Sequence, residues 1–405
     1  MAFSSNFAFS VNRCKPELVV PAKPTPREIK KLSDIDDQEG FRFQVPIMFF
    51  YKNNPSMKGI NPAEVIREGL AKTLVYYYPF AGRIMEGDNR KLMVDCNGEG
   101  VLFVEADACI MLEQLGDNIL PPCPLMEEFL HDVPGTGGII GCPLLLIQVT
   151  RFICGGFALG IRMNHTMADG YGMMQFLSSI SELMKGASAP SISPVWQREQ
   201  YLNARSPARI TCIHHEYEQI PQSTDFMDSD KLFRTAIFFT PKVIQALYNH
   251  LSLSGSSQRC SRFDLIIACL WKCRTNTLNP SDQDLYGGVA SATSNISFCT
   301  NFKNSKGEDG VVVPICLPPL AVEKFKYELE KITCEPLCRI SVLVLNTLLY
   351  KNCFFNHLFN IGLTNDVMGL ENRIVVVLHQ SPLLEGKLVL EFCVCKENSS
   401  GGKYS

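Results

Sequence analysis

Hydrophobic and polar positions alternate with two different periods along this chain, and the clearest change of period falls between Pro143 and Met184. Phe157, Leu159, Ile161 and Met163 alternate with Ala158, Gly160, Arg162 and Asn164, the period of two that a pleated strand imposes. An apolar run before them ends at Cys154-Gly155-Gly156, where glycine supplies the positive φ of a tight connection between two strands. Beyond a short polar loop, Tyr171, Met174, Leu177 or Ser178, and Ser181 or Leu183 recur at helical spacing, with Met173, Phe176, Ile180 and Met184 beside them. The stretch therefore reads as strand, turn, strand, loop and amphipathic helix.

The same reading extends to both sides. Pro16, Pro21, Pro24 and Pro26 predict extended chain and turns, because each proline biases its predecessor away from helix. Phe41 to Tyr51 is an apolar and aromatic strand. Asn61-Pro62-Ala63-Glu64 opens a helix, with Asn61 as N-cap and Glu64 completing a capping box. Ile66, Leu70 and Leu74 give that helix one buried stripe, and Pro79 is expected to stop it before Gly82 redirects the chain. Lys91–Val94 and Val101–Ala106 predict a hairpin through Asn97-Gly98, and residues 117–142 a long Pro/Gly loop. Past a polar, proline-bearing link, Phe233–Phe239 reads as a strand and Pro241–Leu251 as a helix. Ser261 caps another helix, buried through Phe263, Ile266, Ile267, Leu270 and Trp271. A strand over residues 311–318 and a helix over 321–332, striped by Val322, Phe325 and Leu329, follow.

Composition narrows the class. With 405 residues, 46% of them apolar, the chain can bury more than one core, and two domains is the natural expectation. A net charge of -3 with scattered Lys and Arg gives no nucleic-acid or membrane footprint. Met1–Arg13 lacks the pattern of a secretory leader, and Ile340–Tyr350 is too short an apolar run to span a bilayer. The 17 cysteines show no paired C-x-x-C spacing, which argues against a metal site and a disulfide framework and for a reduced, cytoplasmic protein.

Candidate chemistry centres on the loop His165-Thr166-Met167-Ala168-Asp169-Gly170. Taken alone, a histidine with an aspartate four residues on is an ordinary loop pair. Its place at the end of a strand, where loops carry function, gives it weight. A neutral imidazole of pKa about 6.5 can accept a proton as a general base. Asn164 fits a strand-end hydrogen bond, and His214 and His215, beside Glu216, fit a solvated linker. Gly135-Thr136-Gly137 and Gly401-Gly402-Lys403 fall short of dinucleotide and phosphate loops, and no G-x-S-x-G elbow occurs.

The loop His165–Gly170, the stretch Tyr78-Pro79-Phe80-Ala81-Gly82-Arg83 and the opening Leu32-Ser33-Asp34 together resemble the plant BAHD acyltransferases. Cys14–Val19, Leu92–Cys96 and Leu144–Thr150 look most like the benzyl alcohol O-benzoyltransferase branch, and the resemblance covers about residues 12 to 280. It implies an α/β fold of two chloramphenicol-acetyltransferase-like domains, each a mixed sheet flanked by helices, with a channel between them. It also implies transfer of an acyl group, benzoyl in that branch, from acyl-CoA to an alcohol in a ternary complex. His165 would be the general base, while Asp169 and Gly170 support the loop, Asp169 usually by pairing with an arginine of the second domain. Acyl-CoA enters as co-substrate, with no permanently bound cofactor and no metal, in a protein that works as a monomer on small molecules. No residue is assigned to coenzyme A.

The late Asp-Phe-Gly-Trp-Gly loop of that family is absent, since the only tryptophans are Trp196 and Trp271. Soon after residue 291 the sequence already resembles the family's last hairpin, so the second domain is expected to be incomplete. The expected organisation is an N-terminal domain over 1–200, a linker over 201–222, a truncated C-terminal domain over 223–333, and an atypical tail over 334–405, for which disorder is one reading. Loss of inner strands leaves open sheet edges, so impaired turnover, with ligand or partner binding retained, is the alternative expectation.

Overall fold

In a computed structural model of the chain, residues 9–38, 41–119, 123, 125–204, 207, 233–253, 260–278, 300–303, 307–334 and 373–375 are described. The first elements are β1 (Val11–Arg13), β2 (Glu17–Val19), β3 (Ile29–Lys31), β4 (Gln44–Tyr51), α1 (Pro62–Thr73), β5 (Arg83–Glu86), β6 (Leu92–Asp95) and β7 (Val101–Ala108). Then come α2 (Leu112–Leu115), α3 (Met126–Phe129), β8 (Leu145–Phe152), β9 (Phe157–Asn164), α4 (Gly170–Met184) and α5 (Arg198–Tyr201). The remainder are β10 (Phe233–Phe239), α6 (Pro241–Leu253), α7 (Arg262–Leu278), β11 (Thr300–Lys303), β12 (Asp309–Leu317), α8 (Pro319–Cys334) and β13 (Arg373–Val375). They fall into two compact units, the first holding the described residues below 210 together with β13, the second β10–β12 and α6–α8.

The first unit is built on a seven-stranded sheet in the order β1-β7-β8-β9-β4-β13, with β2 also on β7. It is mixed, because β7 and β8 run parallel while β8 with β9 and β9 with β4 run antiparallel. The period of two in β9 divides two packed faces. Leu159, Ile161 and Met163 join the core that holds Ile66 and Leu70 of α1 and Phe176 and Ile180 of α4. On the other face, Ala158 packs with Met48, Phe129 and Leu130. Gly160 is required there, since a Cβ would run into the Phe129 carbonyl.

Helix α1 starts as its sequence predicts, with Asn61 Oδ1 accepting from the Ala63 N–H at 3.1 Å. Glu64 closes the cap differently from the expected box: its carboxylate accepts from the Asn61 side-chain amide at 3.1 Å, side chain to side chain. The helix ends at Thr73, before Pro79, and Leu74 is fully buried. Arg83, from the Tyr78–Arg83 stretch, is a structural residue: its Nη1 donates to the Gly82 and Gly100 carbonyls at 2.7 and 2.8 Å.

Two expectations are corrected. β6 and β7 do not form a hairpin: β6 pairs with β3 and β5 in a separate three-stranded sheet, and β7 with β1, β2 and β8. Gly98 and Gly100, at φ 73° and 98°, steer the chain from one sheet to the other, so the Asn-Gly turn signal is real and its partner assignment is not. The strand expected from Phe41 begins only at Gln44, and the rings of Phe41 and Phe43, just before it, pack against His165.

The second unit has an antiparallel sheet ordered β10-β12-β11, with β11 and β12 paired as the expected late hairpin. Ser261 and Asp264 cap α7 reciprocally, and Ile266, Leu270, Val322 and Phe325 share its core. The linker 201–222, apart from residues 201–204 and 207, lies outside the described residues, as do His214, His215 and, but for Cys334 and β13, the tail from residue 334. Among the described residues, no helix is long and apolar enough to cross a membrane.

Candidate active site

β9 carries the chain to Asn164 and His165, and the next residues turn back into α4. Asn164 makes that turn by local side-chain bonding: its Oδ1 accepts from the Thr166 N–H at 3.1 Å and from the Thr166 hydroxyl at 2.8 Å. Such a side chain mimics a backbone turn, so the strand-end role expected of Asn164 is the one observed. Asp169 is the N-cap of α4, accepting from the Gly172 N–H at 2.8 Å, and Gly170 is the helix's first residue. Asp169 is exposed and, among the described residues, has no ion-pair partner. Loop and helix therefore hold each other through the Asp169 carboxylate at the helix N-terminus, where its charge also complements the dipole.

His165 keeps 8% of its surface exposed, while Thr166 beside it keeps none. Its backbone N–H donates to the Phe43 carbonyl at 2.9 Å. The Phe41 ring stacks on the imidazole with centroids 4.8 Å apart and planes 14° apart, and the Phe43 ring lies 5.0 Å away at 35°. Burial pushes the imidazole below its ordinary pKa, against the smaller upward pulls of a backbone hydrogen bond and of Asp169. Burial therefore favours the uncharged ring, the form in which an imidazole nitrogen accepts a proton.

A further residue with no signal in the sequence reaches the loop. Arg198 Nη1 donates to the Met167 carbonyl at 3.1 Å and pairs with Asp36 at 3.2 Å, its guanidinium lying 5.5 Å over the Trp196 ring. Asp36 is in turn bound by Ser33 Oγ at 2.7 Å. The Leu32-Ser33-Asp34 opening thus buttresses the histidine loop through Arg198, which explains why an acidic run stands so far upstream of it. Trp196 Nε1 donates to the carbonyl of Tyr76, in the turn that follows α1, at 2.9 Å.

A histidine on an H-x-x-x-D loop at a sheet end, in a chain of two α/β units, is the arrangement that the resemblance read from the sequence implies. The chain belongs to the BAHD acyltransferases: the transferase-family profile matches residues 9–303. It is 58% identical over 273 residues to alcohol acyl transferase 1, allele GSd, of Malus domestica, a match taking in 66% of this chain and 59% of that protein. It is 52% identical over 282 residues to the benzyl alcohol O-benzoyltransferase of Petunia hybrida, with 69% of this chain and 61% of that protein covered. The longer alignment with allele GSa, at 42% identity, has 437 positions and takes in 80% of this chain and 95% of the relative. Those positions outnumber the 405 residues of the chain, so the relative contains internal sequence with no counterpart here. The crystal structure of vinorine synthase superposes with a TM-score of 0.51 at 20% identity, covering 87% of this chain and 81% of that one, a likeness of fold.

Proposed function

We propose that the protein transfers an acyl group from acyl-CoA to the hydroxyl of a small alcohol, with His165 as general base. The observation that carries this reading is the placement of His165: an imidazole at a strand end, flanked by the rings of Phe41 and Phe43, where burial favours its uncharged form. The relatives named for alcohol acyl transfer and for benzoyl transfer to benzyl alcohol supply the substrate classes.

The chemistry follows from the ring's properties. As the alcohol oxygen forms its bond to the thioester carbonyl carbon, its proton passes to the imidazole, and the carbonyl electrons move onto oxygen. The tetrahedral intermediate then collapses, the carbon–sulfur bond breaks, and the imidazolium returns the proton to the departing coenzyme A thiolate. The histidine ends as it began, and no covalent acyl-enzyme forms. Asp169 and Gly170 serve this step by fixing where the loop enters α4.

The test is incubation of purified full chain with benzoyl-CoA or acetyl-CoA and a panel of aromatic and aliphatic alcohols, with free thiol and ester both quantified. Equimolar thiol and ester, dependent on the alcohol, is the expected outcome. Binding of coenzyme A with no alcohol-dependent thiol release contradicts it.

A further inference from the structure

The acidic run Ser33 to Asp37 and the segment that follows α4 lie far apart in the sequence, yet they clasp each other at two places. The Asp34 N–H donates to Asn203 Oδ1 at 3.1 Å, and the Asp34 carboxylate accepts from the Ala204 N–H at 2.8 Å. Asp36 pairs with Arg198 at 3.2 Å and is itself held by Ser33 Oγ at 2.7 Å. On the other side of Arg198, the Trp196 indole is anchored at the Tyr76 carbonyl and its ring lies between 6.0 and 6.4 Å from those of Tyr77, Tyr78 and Phe80. The Arg198 guanidinium rests 5.5 Å over that indole. These contacts place Arg198 without calling on the histidine loop.

We infer that Arg198 is a positioning residue for acyl transfer, its guanidinium setting the path of the backbone between His165 and Asp169 through the Met167 carbonyl. The proposal rests on the reading of His165 as the base and deepens it. Nη1 serves both sides, donating to Asp36 and, at 3.1 Å, to the Met167 carbonyl. Met167 is buried midway along the loop, and its N–H donates back to the Asn164 carbonyl at 3.1 Å. One peptide on each side of this residue therefore ties the loop inward to β9 and outward to Arg198. A bond from a charged donor is roughly twice as strong as one between neutral groups. The Arg198 side chain is only 21% exposed, so water competes weakly for it. A base displaced by about 1 Å can lose about 10²-fold in rate, and a brace two residues from His165 acts on that displacement.

Three variants separate bracing from folding. Arg198→Met keeps an apolar stem and removes the charged fork, Arg198→Lys keeps a charged donor nitrogen, and Asp36→Asn keeps the shape of Asp36 without its charge. In the full chain, with benzoyl-CoA and benzyl alcohol, Arg198→Met is expected to lower kcat about tenfold while changing KM for either substrate less than about threefold. Because one nitrogen serves both acceptors, Arg198→Lys should recover part of that loss. Asp36→Asn should lower kcat less than Arg198→Met and add nothing to it in the double variant, since Asp36 acts through the guanidinium. Amide hydrogen exchange of the free protein reads the loop without turnover: residues 166–170 should exchange faster in Arg198→Met, while β8 and β9 keep wild-type rates. An inactive wild type that still shows this exchange difference counts against the acyl-transfer reading and not against the brace. Wild-type kcat and loop exchange in Arg198→Met, equal losses in Arg198→Met and Arg198→Lys, or faster exchange throughout β8 and β9 overturns the proposal. Asp36→Asn, being isosteric, carries both readouts even where Arg198→Met does not fold, and wild-type values of both in it overturn the proposal as well.

Discussion

At the scale of single residues, the site comes down to a histidine whose surroundings favour its uncharged form. Because burial lowers its folded pKa, the unfolded chain takes up a proton first as pH falls. Folding stability contributed at His165 is therefore complete above the unfolded value of about 6.5 and declines as pH drops through it toward the folded value. Urea midpoints measured across pH 5 to about 8 should fall on the acid side, and His165→Gln should flatten that decline. Asp169 allows a sharper separation of roles. As the cap of α4 it accepts one N–H bond, which asparagine can also accept and alanine cannot. Asp169→Ala is expected to lose about 1 kcal/mol and Asp169→Asn only a fraction of that, both read from denaturation midpoints. Equal losses in the two variants would show that the charge matters more than the cap. His165, Asp169 and Gly170 were legible in the sequence because they lie within one short loop at a strand end. Phe41, Phe43 and Arg198 were not, because their contacts with that loop join segments far apart in the chain, and no local period encodes such a pairing.

Among the elements, those with a strong period of their own follow the sequence. The β8–β9 pair, the Gly155 turn at φ 81° and helix α4 lie where alternation and helical spacing put them, because each buries a whole face. The hairpin expected at Asn97-Gly98 failed for the complementary reason. A turn signal states that the chain bends, while the choice of partner strand belongs to the sheets on either side. Packing of α1 on α4 makes a second prediction. Gly69 sits where a side chain would meet Met184 and the Ile180 carbonyl, so Gly69→Leu should cost about 1–3 kcal/mol by overpacking. The check is a lowered denaturant midpoint at unchanged m-value; an unchanged midpoint would mean the two helices can separate at no cost. Since α4 carries Asp169 at its first turn, the same substitution should also lower the rate of acyl transfer.

For the molecule as a whole, a large mixed sheet with two helices on one face presents the histidine loop, and a second unit supplies a smaller antiparallel sheet with its own core. The 437-position alignment with allele GSa shows that this relative has internal sequence without counterpart here. The contacts described on the histidine loop come from β9, α4, the Phe41–Phe43 turn, and Arg198 with the Ser33–Asp36 opening. The most direct measurement is therefore a comparison of wild type with His165→Gln, scoring coenzyme A thiol and ester product from benzoyl-CoA and benzyl alcohol. The account predicts equimolar products in the wild type and a fall of about 10²–10⁴-fold in the variant, with acyl-CoA affinity retained. A variant that turns over as fast as the wild type would contradict it.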